Sequence, residues 1–412
     1  MLLTVARQSL LSRKKTVFLT FLSLTISMMV LFSVEHIRLQ AKESFNRTIS
    51  GTDLIVGAPS GQLNLLLYSV FRIGNPTNVI QYQSFKDLEN NKLVKWAVPI
   101  SLGDSHKGFR VLGTNQAYFT HYKYGDKRNL SFAQGSEFNS LFETVVGADV
   151  AQQLGYKVGE KIVIAHGIGS TSFTNHTDSP FIITGILART GTPVDKTVHV
   201  SLPAIEAIHL PPSALKKLVA DPTSIDIEVN NVTAVLLGLE NKFATFALQR
   251  TINNYKNDRL MAVLPGVALT ELWTLVGTLE NLLRVIAGLV LLSALFGLST
   301  MLLASMNERQ TEIAVFRVLG AGPVKIMLLI YLETLLLTLI SVLAAVSLLS
   351  LGFLVFKEQL AAEYGLFISA NIFSVEILQL IAFVFVAALV TAIFPSLEAY
   401  KSALHKQLSS RR

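Results

Sequence analysis

Four apolar stretches, one near the start of the chain and three towards its end, enclose about 240 polar residues, and that spacing commits the chain to a membrane. Thr16 to Val34 holds no charge; Val285 to Met306, Ile326 to Phe356 (broken only by Glu333) and Ile377 to Phe394 repeat the pattern. Each approaches the ~20 residues that cross ~30 Å of hydrocarbon as a helix. Only 15% of the residues are charged, against about 25% in an average soluble chain. The fold class read from this pattern is an α-helical membrane protein with four transmembrane helices in one-plus-three order and a large mixed α/β domain between helices 1 and 2.

The net charge of +7 gathers beside the spans rather than in an aromatic-interleaved patch, which points to membrane lipid and not to nucleic acid. Arg7, Arg13, Lys14 and Lys15 precede span one, Arg309, Arg317 and Lys325 lie between spans two and three, and Lys401, Lys406, Arg411 and Arg412 follow span four. The loop between spans three and four offers only Lys357. The positive-inside rule then puts both termini and the 307–325 loop in the cytoplasm and Glu35 to Glu280 outside. The first apolar stretch runs about nineteen residues without a small-residue cleavage site, so it is expected to stay as a span and not to be removed as a signal peptide. Cysteine is absent, which excludes disulfides and thiolate metal sites.

The expected organisation is a cytoplasmic amphipathic elbow at 1–15, transmembrane helix 1 at 16–36, an external α/β core domain at 37–270 and a stalk with transmembrane helix 2 at 271–306. A cytoplasmic helix at 307–323, transmembrane helix 3 at 324–356, a short outer loop at 357–376, transmembrane helix 4 at 377–394 and a tail at 395–412 complete it. Thr16, Thr20, Ser23 and Ser27 in span one, and Ala287, Ala294, Gly297 and Ala304 in span two, recur at helical spacing as small-residue stripes suited to close helix packing. In the external domain, Glu143 to Gly155 reads as a helix, as does 79–95; Phe181 to Leu187, Ala234 to Leu239 and Ile225 to Val229 read as strands. The apolar run Leu63 to Ile73 reads as domain core or dimer contact, with a lipid- or cargo-facing surface as the alternative.

Three groups of residues invite a chemical reading. The segment Met306 to Pro323 combines charges with apolar residues between two spans and ends in Gly320, Gly322 and Pro323, the punctuation of a short helix. Glu333, about seven residues into span three, costs at least ~2.5 kcal/mol in hydrocarbon and so must face protein, as a buried hydrogen-bonded group or as part of a gate. His166, His176 and Asp178 border a Gly/Ser/Thr-rich loop; imidazole and carboxylate suit zinc or copper, but the spacing matches no compact site, and solvated or structurally bonded histidines are the alternative. No metal site is assigned. Gly57-Ala-Pro-Ser-Gly61 puts Ser60 in the wrong place for a serine elbow, and no H-E-x-x-H occurs, so catalysis by this chain is not expected.

The Glu-Arg-x-x-Glu-Ile-x-Val-x-Arg-x-Leu-Gly-Ala segment at Glu308 to Ala321, with Glu333 in the following span, resembles the signature of MacB/FtsX-type ABC transporter permeases. Phe394-Pro395 with Ala399, Ala403 and Leu404 is similar to that family's last-span exit, and Val146-Gly147-x-x-Val150-Ala151-x-x-Leu154-Gly155 with Thr184-Gly185-Ile186-Leu187 is similar to its periplasmic core domain. The resemblance implies a non-catalytic permease in a bacterial inner membrane, with its large domain in the periplasm. It implies an ABC ATP-binding subunit and a second permease copy as partners, and admits a periplasmic substrate-binding or effector protein. No G-x-x-x-x-G-K-[ST] occurs, so no cofactor is expected on this chain; ATP and Mg would sit on the separate ATPase, as in the LolC/LolE type. In the coupling helix so implied, Glu308, Arg309, Glu312, Arg317 and Gly320 supply polar contacts and termination, and Ile313, Phe316 and Leu319 apolar anchoring. The implied function is mechanotransmission for export or extraction of a substrate, or, as in FtsX, activation of a periplasmic partner without transport.

Overall fold

A computed structural model describes residues 2–166, 179–222, 224–308, 315, 318, 320–364 and 368–409. The chain divides into two compact units. One comprises Met1–Ala41, Gly277–Leu360 and Ile368–Arg412, and the other Lys42–Val276 with Ala361–Phe367.

The long helices are α1 (Leu2–Ser12), α2 (Lys14–Thr48), α3 (Pro265–Glu308), α4 (Pro323–Tyr364), α5 (Val375–Thr391) and α6 (Ile393–Ser409). Among the described residues four segments are long and apolar enough to cross a membrane: Lys14–Asn46, Pro265–Met306, Pro323–Lys357 and Val375–Lys401. Their sequence explains their sides. In α4 the residues Ile326, Leu329, Ile330, Glu333, Thr334, Leu337, Thr338, Ser341 and Val342 fall at three- and four-residue steps and are buried, while Leu339, Ile340, Leu343 and Leu348 face outwards. An outward apolar face is what lipid requires, and Glu333, Thr334, Thr338 and Ser341 lie on the inward one.

Only part of the small-residue stripes is buried: Ser27, Ala287 and Ala294 are. In α2 the inward face is Leu24, Met28, Leu31 and Phe32, while Thr16 and Ser23 are exposed. The Thr20 and Ser27 hydroxyls donate to their own helix, to the carbonyls of Thr16 at 3.1 Å and Ser23 at 2.9 Å. In α3 Ala287 and Ala294 are buried but Gly297 and Ala304 are not. Hydroxyls that bond their own helix need no partner across the packing face, and Ser27 sits in the interior beside the bulkier residues.

The α/β unit is built on a sheet of eleven strands: β1 (Leu54–Gly57), β2 (Val94–His106), β3 (Phe109–Thr114), β4 (Phe132–Gly135), β5 (Glu143–Val146), β6 (Lys161–Ile162), β7 (Ala165–His166), β8 (Phe181–Leu187), β9 (Thr197–Ser201), β10 (Ala234–Leu239) and β11 (Met261–Val263). Its order is β11-β1-β10-β2-β3-β9-β5-β8-β4, with β7 added to β2 and β6 to β8. The β3–β9 and β5–β8 pairs are parallel and the others antiparallel. β10 is buried along its whole length and β9 along all but Ser201. Such central strands read as continuous Val/Leu runs rather than as alternation.

Three sequence readings of this unit change. Glu143 to Gly155 is not one helix: Glu143–Val146 is a strand and Ala148–Leu154 the helix. Gly147 forces the break, since a Cβ there would meet the Val194 carbonyl oxygen at 2.3 Å. The 79–95 segment contains a helix only at Tyr82–Glu89, between strands. Ile225 to Val229 forms no strand. The apolar run after residue 62 forms the helix Gln62–Ser69, and Leu65, Leu66, Val70 and Phe71 enter the domain core, which removes the lipid- or cargo-facing alternative for them.

Candidate functional site

In the helical unit, charged side chains of α2 and α3 meet around one carboxylate. Glu35, 5% exposed, accepts from both arginines: Arg284 Nε at 3.0 Å and Nη2 at 2.9 Å, and Arg38 Nε at 3.3 Å and Nη2 at 2.6 Å. Arg38 Nη1 also lies 3.7 Å from Glu280. Two acids and two bases make the group neutral, and side-on bidentate pairing is the strongest geometry a guanidinium offers. Next to it His36 Nε2 lies 2.8 Å from the Ser369 carbonyl oxygen, and its ring lies 5.0 Å from that of Phe353. Charges at i and i+3 on α2 aim to one side, so Glu35 and Arg38 reach the same neighbour. Sequence reading noticed Glu280 and Arg284 only as charges in a stalk. Their i, i+4 spacing suggests a pair within α3, whereas Arg284 reaches across to Glu35, 249 residues away.

Glu333 is wholly buried in α4 and meets Arg13 Nη2 at 3.6 Å. Arg13 stands at the break between α1 and α2, where its Nη2 also donates to Ser9 Oγ at 2.9 Å. The acid read from hydropathy as needing a protein neighbour therefore has one on the amphipathic elbow.

In the α/β unit the ends of α2 and α3 are anchored by aromatic residues. The Tyr122 hydroxyl donates to the Thr48 carbonyl at 2.6 Å, satisfying one of the open acceptors at the end of α2. Phe45 packs edge-on to Trp273 with ring centres 5.6 Å apart and against Phe71 at 4.6 Å. Pro265 opens α3, where a missing N–H costs nothing.

Of the coupling residues named from the sequence, Glu308 ends α3 and Gly320 is left-handed at φ +85°. Arg309, Glu312, Ile313, Phe316, Arg317 and Leu319 lie outside the described residues. Two residues the sequence reading passed over, Val315 and Val318, are helical and exposed, Val318 by 89%. Apolar side chains three apart on one helical face and open to solvent are what a docking helix presents.

His166 opens the loop read as a metal candidate, its backbone paired with Asp104; His176 and Asp178 lie outside the described residues. Among the described residues no cluster of three metal-ligating side chains occurs. His106 instead bonds the Val163 carbonyl at 2.6 Å and the Tyr156 hydroxyl at 2.8 Å, and burial lowers its pKa. His199 is completely buried against Tyr118 and Phe119, and burial pushes it down to about 3.

Four apolar helices and a large α/β domain between the first and second define a class, the polytopic membrane protein with one large extramembrane domain. The profile of the MacB-like periplasmic core domain matches residues 17–236 and that of the FtsX-like permease C-terminal domain residues 284–404. The chain belongs to the MacB/FtsX family of ABC transporter permeases, a family that works with an ABC ATP-binding subunit. Among solved structures it is similar to the periplasmic region of MacB from Actinobacillus actinomycetemcomitans, at 11% identity, 57% coverage of this chain and 95% of that one, and a TM-score of 0.33. No curated protein matches it.

Proposed function

We propose that this permease is the membrane subunit of a split ABC transporter that converts ATP-driven motion of a separate ATPase into a conformational change of its periplasmic domain. The observation that carries the reading is the Glu35 clamp between α2 and α3, the two helices that flank the α/β domain in sequence. A salt-bridged pair of helices moves as one body, so displacement applied near Glu308 travels along α3 together with α2 instead of being lost in bending between them. The ATPase docks on the segment from Glu308 to Gly320. There Glu308, Arg309, Glu312 and Arg317 supply polar contacts, and Ile313, Phe316, Leu319 and the exposed Val315 and Val318 supply apolar ones. ATP and Mg belong to that subunit, and the permease works as a homodimer in a bacterial inner membrane with both termini in the cytoplasm. Glu333 with Arg13 ties the elbow to the helix that follows the coupling segment.

The test is affinity recovery of the tagged chain in mild detergent with mass spectrometry and an ATPase assay. A Walker-motif protein should accompany the wild type and be lost with Glu312→Arg; recovery of no ATPase with the wild type rejects the reading. Reconstitution then separates transport from activation: vectorial cargo movement marks export or extraction, and ATP-dependent stimulation of a periplasmic partner without movement marks the FtsX-like role.

A further inference from the structure

Arg72 and Arg110 form a cationic pair in the α/β unit for which the described residues provide no anion. Arg72 follows the helix Gln62–Ser69 and is held in the left-handed region at φ +60°, a conformation that a residue with a side chain adopts only when its surroundings impose it. The fold-back is fixed by Phe71 and Ile73, whose N–H groups both donate to the Leu67 carbonyl at 3.1 Å. The Arg72 guanidinium donates through Nη1 to the Ser69 carbonyl and through Nη2 to the Tyr118 hydroxyl at 3.4 Å, and its Nε is shielded from solvent without an acceptor. Arg110, on β3, donates through Nη1 to Asn75 Oδ1 at 2.9 Å and through Nη2 to the Gly74 carbonyl at 2.7 Å. Every acceptor in this set is neutral.

The groups around Arg72 do not supply the missing charge. Tyr118 and Tyr122 are held in their protonated form because burial raises both phenols, and His199 is neutral. Burial, with the charge of Arg72 beside it, lowers the pKa of Arg110. Carboxylates do pair with guanidinium groups elsewhere in this unit, as Asp149 does with Arg189 at 2.9 Å. Within the described residues none lies within ion-pair distance of Arg72 or Arg110. Both arginines are partly buried, with Arg72 Nε fully shielded; cationic groups so placed without a counter-charge leave room for a ligand to complete them, and guanidinium groups are the side chains best shaped for oxyanions.

We propose that Arg72 and Arg110, with the loop at Gly74 and Asn75, form a binding site for a phosphate-type oxyanion. The anion takes the free N–H groups of Arg110 and neutralises the pair, and in doing so fixes the loop at 73–79, which carries the exposed Ile73 and Val79. The source is either a free ion or the head of an amphiphile, and the two are separable. The proposal does not depend on the ATPase reading.

The test is isothermal titration of the full-length chain in mild detergent with inorganic phosphate, in chloride buffer of constant ionic strength, with dihexanoyl phosphatidic acid as a second probe. Saturable binding is expected in the wild type, weakened at least tenfold in Arg110→Gln and in Arg72→Gln and retained when a cation away from the site is removed in Lys216→Gln, an exposed position on the helix Pro212–Ala220, with far-UV circular dichroism showing each variant folded. Phosphatidic acid binding ten times tighter than phosphate identifies a headgroup, and equal binding a free ion. If Arg72→Gln does not fold, Arg110→Gln decides. Absence of saturable binding of either probe in the wild type, or binding by folded Arg110→Gln as tight as by the wild type, overturns the proposal.

Discussion

The two units differ in the polar groups that mark their interiors, although the α/β unit too pairs one buried acid, Asp149, with Arg189. The helical unit buries charges and pairs them: Glu35 with Arg38 and Arg284, and Glu333 with Arg13. The α/β unit buries titratable rings and keeps them neutral: His199, Tyr118 and Tyr122 stack in one aromatic group, with Tyr118 5.0 Å from Tyr122 and 5.3 Å from His199. A sheet-based core can surround a ring with carbon and discard its charge. Helices at a lipid boundary have few backbone groups to offer, so an ion there needs a counter-ion. The lesson is one of locality. An ion pair ties two helices together at one defined place, whereas a neutral aromatic core holds a body together through many contacts at once.

Acid is the strongest way to attack the neutral side of this contrast. His199 accepts a proton in the unfolded chain below its ordinary value near 6.5 but in the folded chain only near 3. The folded pKa is lowered, so its contribution to stability is present above pH 6.5 and is lost as pH falls from 6.5 to 3. The slope is about 1.4 kcal/mol per pH unit, reaching about 4 kcal/mol at the acid end. Thermal unfolding of the full chain at pH 7.5, 5 and 4 should show this fall in the wild type and a shallower one in His199→Gln. Parallel falls in the two proteins would refute the neutral-core half of the comparison.

The paired side is attacked by removing the shared anion. Glu35→Gln leaves two guanidinium groups facing each other and should destabilise the chain by about 3 kcal/mol, the size expected when one partner of a shielded pair is lost. The double variant Glu35→Gln with Arg284→Gln should recover part of that loss, because the uncompensated charge is gone. Melting temperature in detergent reads both. A double variant less stable than either single one would mean that packing, not charge, dominates at this position.

The same contrast sets what the sequence could reveal. Membrane helices announce themselves locally, and the run from Ile326 to Phe356, with its one acid, is legible because lipid imposes the same demand on every residue. Phe181–Leu187 and Ala234–Leu239 are strands over the very residues that read as strands, since each is a short apolar run. Glu143–Val146 was hidden, because its strand conformation comes from parallel pairing with β8, and residues 143–155 taken alone favour a helix. The Glu35–Arg284 and Arg13–Glu333 contacts were invisible for a related reason. Periodicity says which face a charge occupies, but the identity of the facing residue is set by tertiary packing between segments hundreds of residues apart. The open cationic pair has a similar origin, since Arg72 and Arg110 come from separate elements and only their shared lack of an anion marks them.

A smaller effect sharpens the comparison at the end of the helical unit nearest the proposed docking segment. Gly320 is left-handed at φ +85°, and among the described residues no heavy atom lies within 4 Å of where a Cβ would stand, so the cost of a side chain there is set by the backbone conformation. Pro323 follows as the first residue of α4, with the Gly322 carbonyl accepting from Lys325 at 3.0 Å, so the turn is compact and the left-handed residue sets its direction. Gly320→Ala should therefore cost about 1 kcal/mol of stability. Because the turn at Gly320 joins the proposed docking segment to α4, the same change should weaken ATPase recruitment more than the modest stability loss implies. Measuring melting temperature and recruitment together separates the two effects. If recruitment falls only as far as the folded fraction does, the turn is a passive connector and the docking segment owes its direction to other contacts.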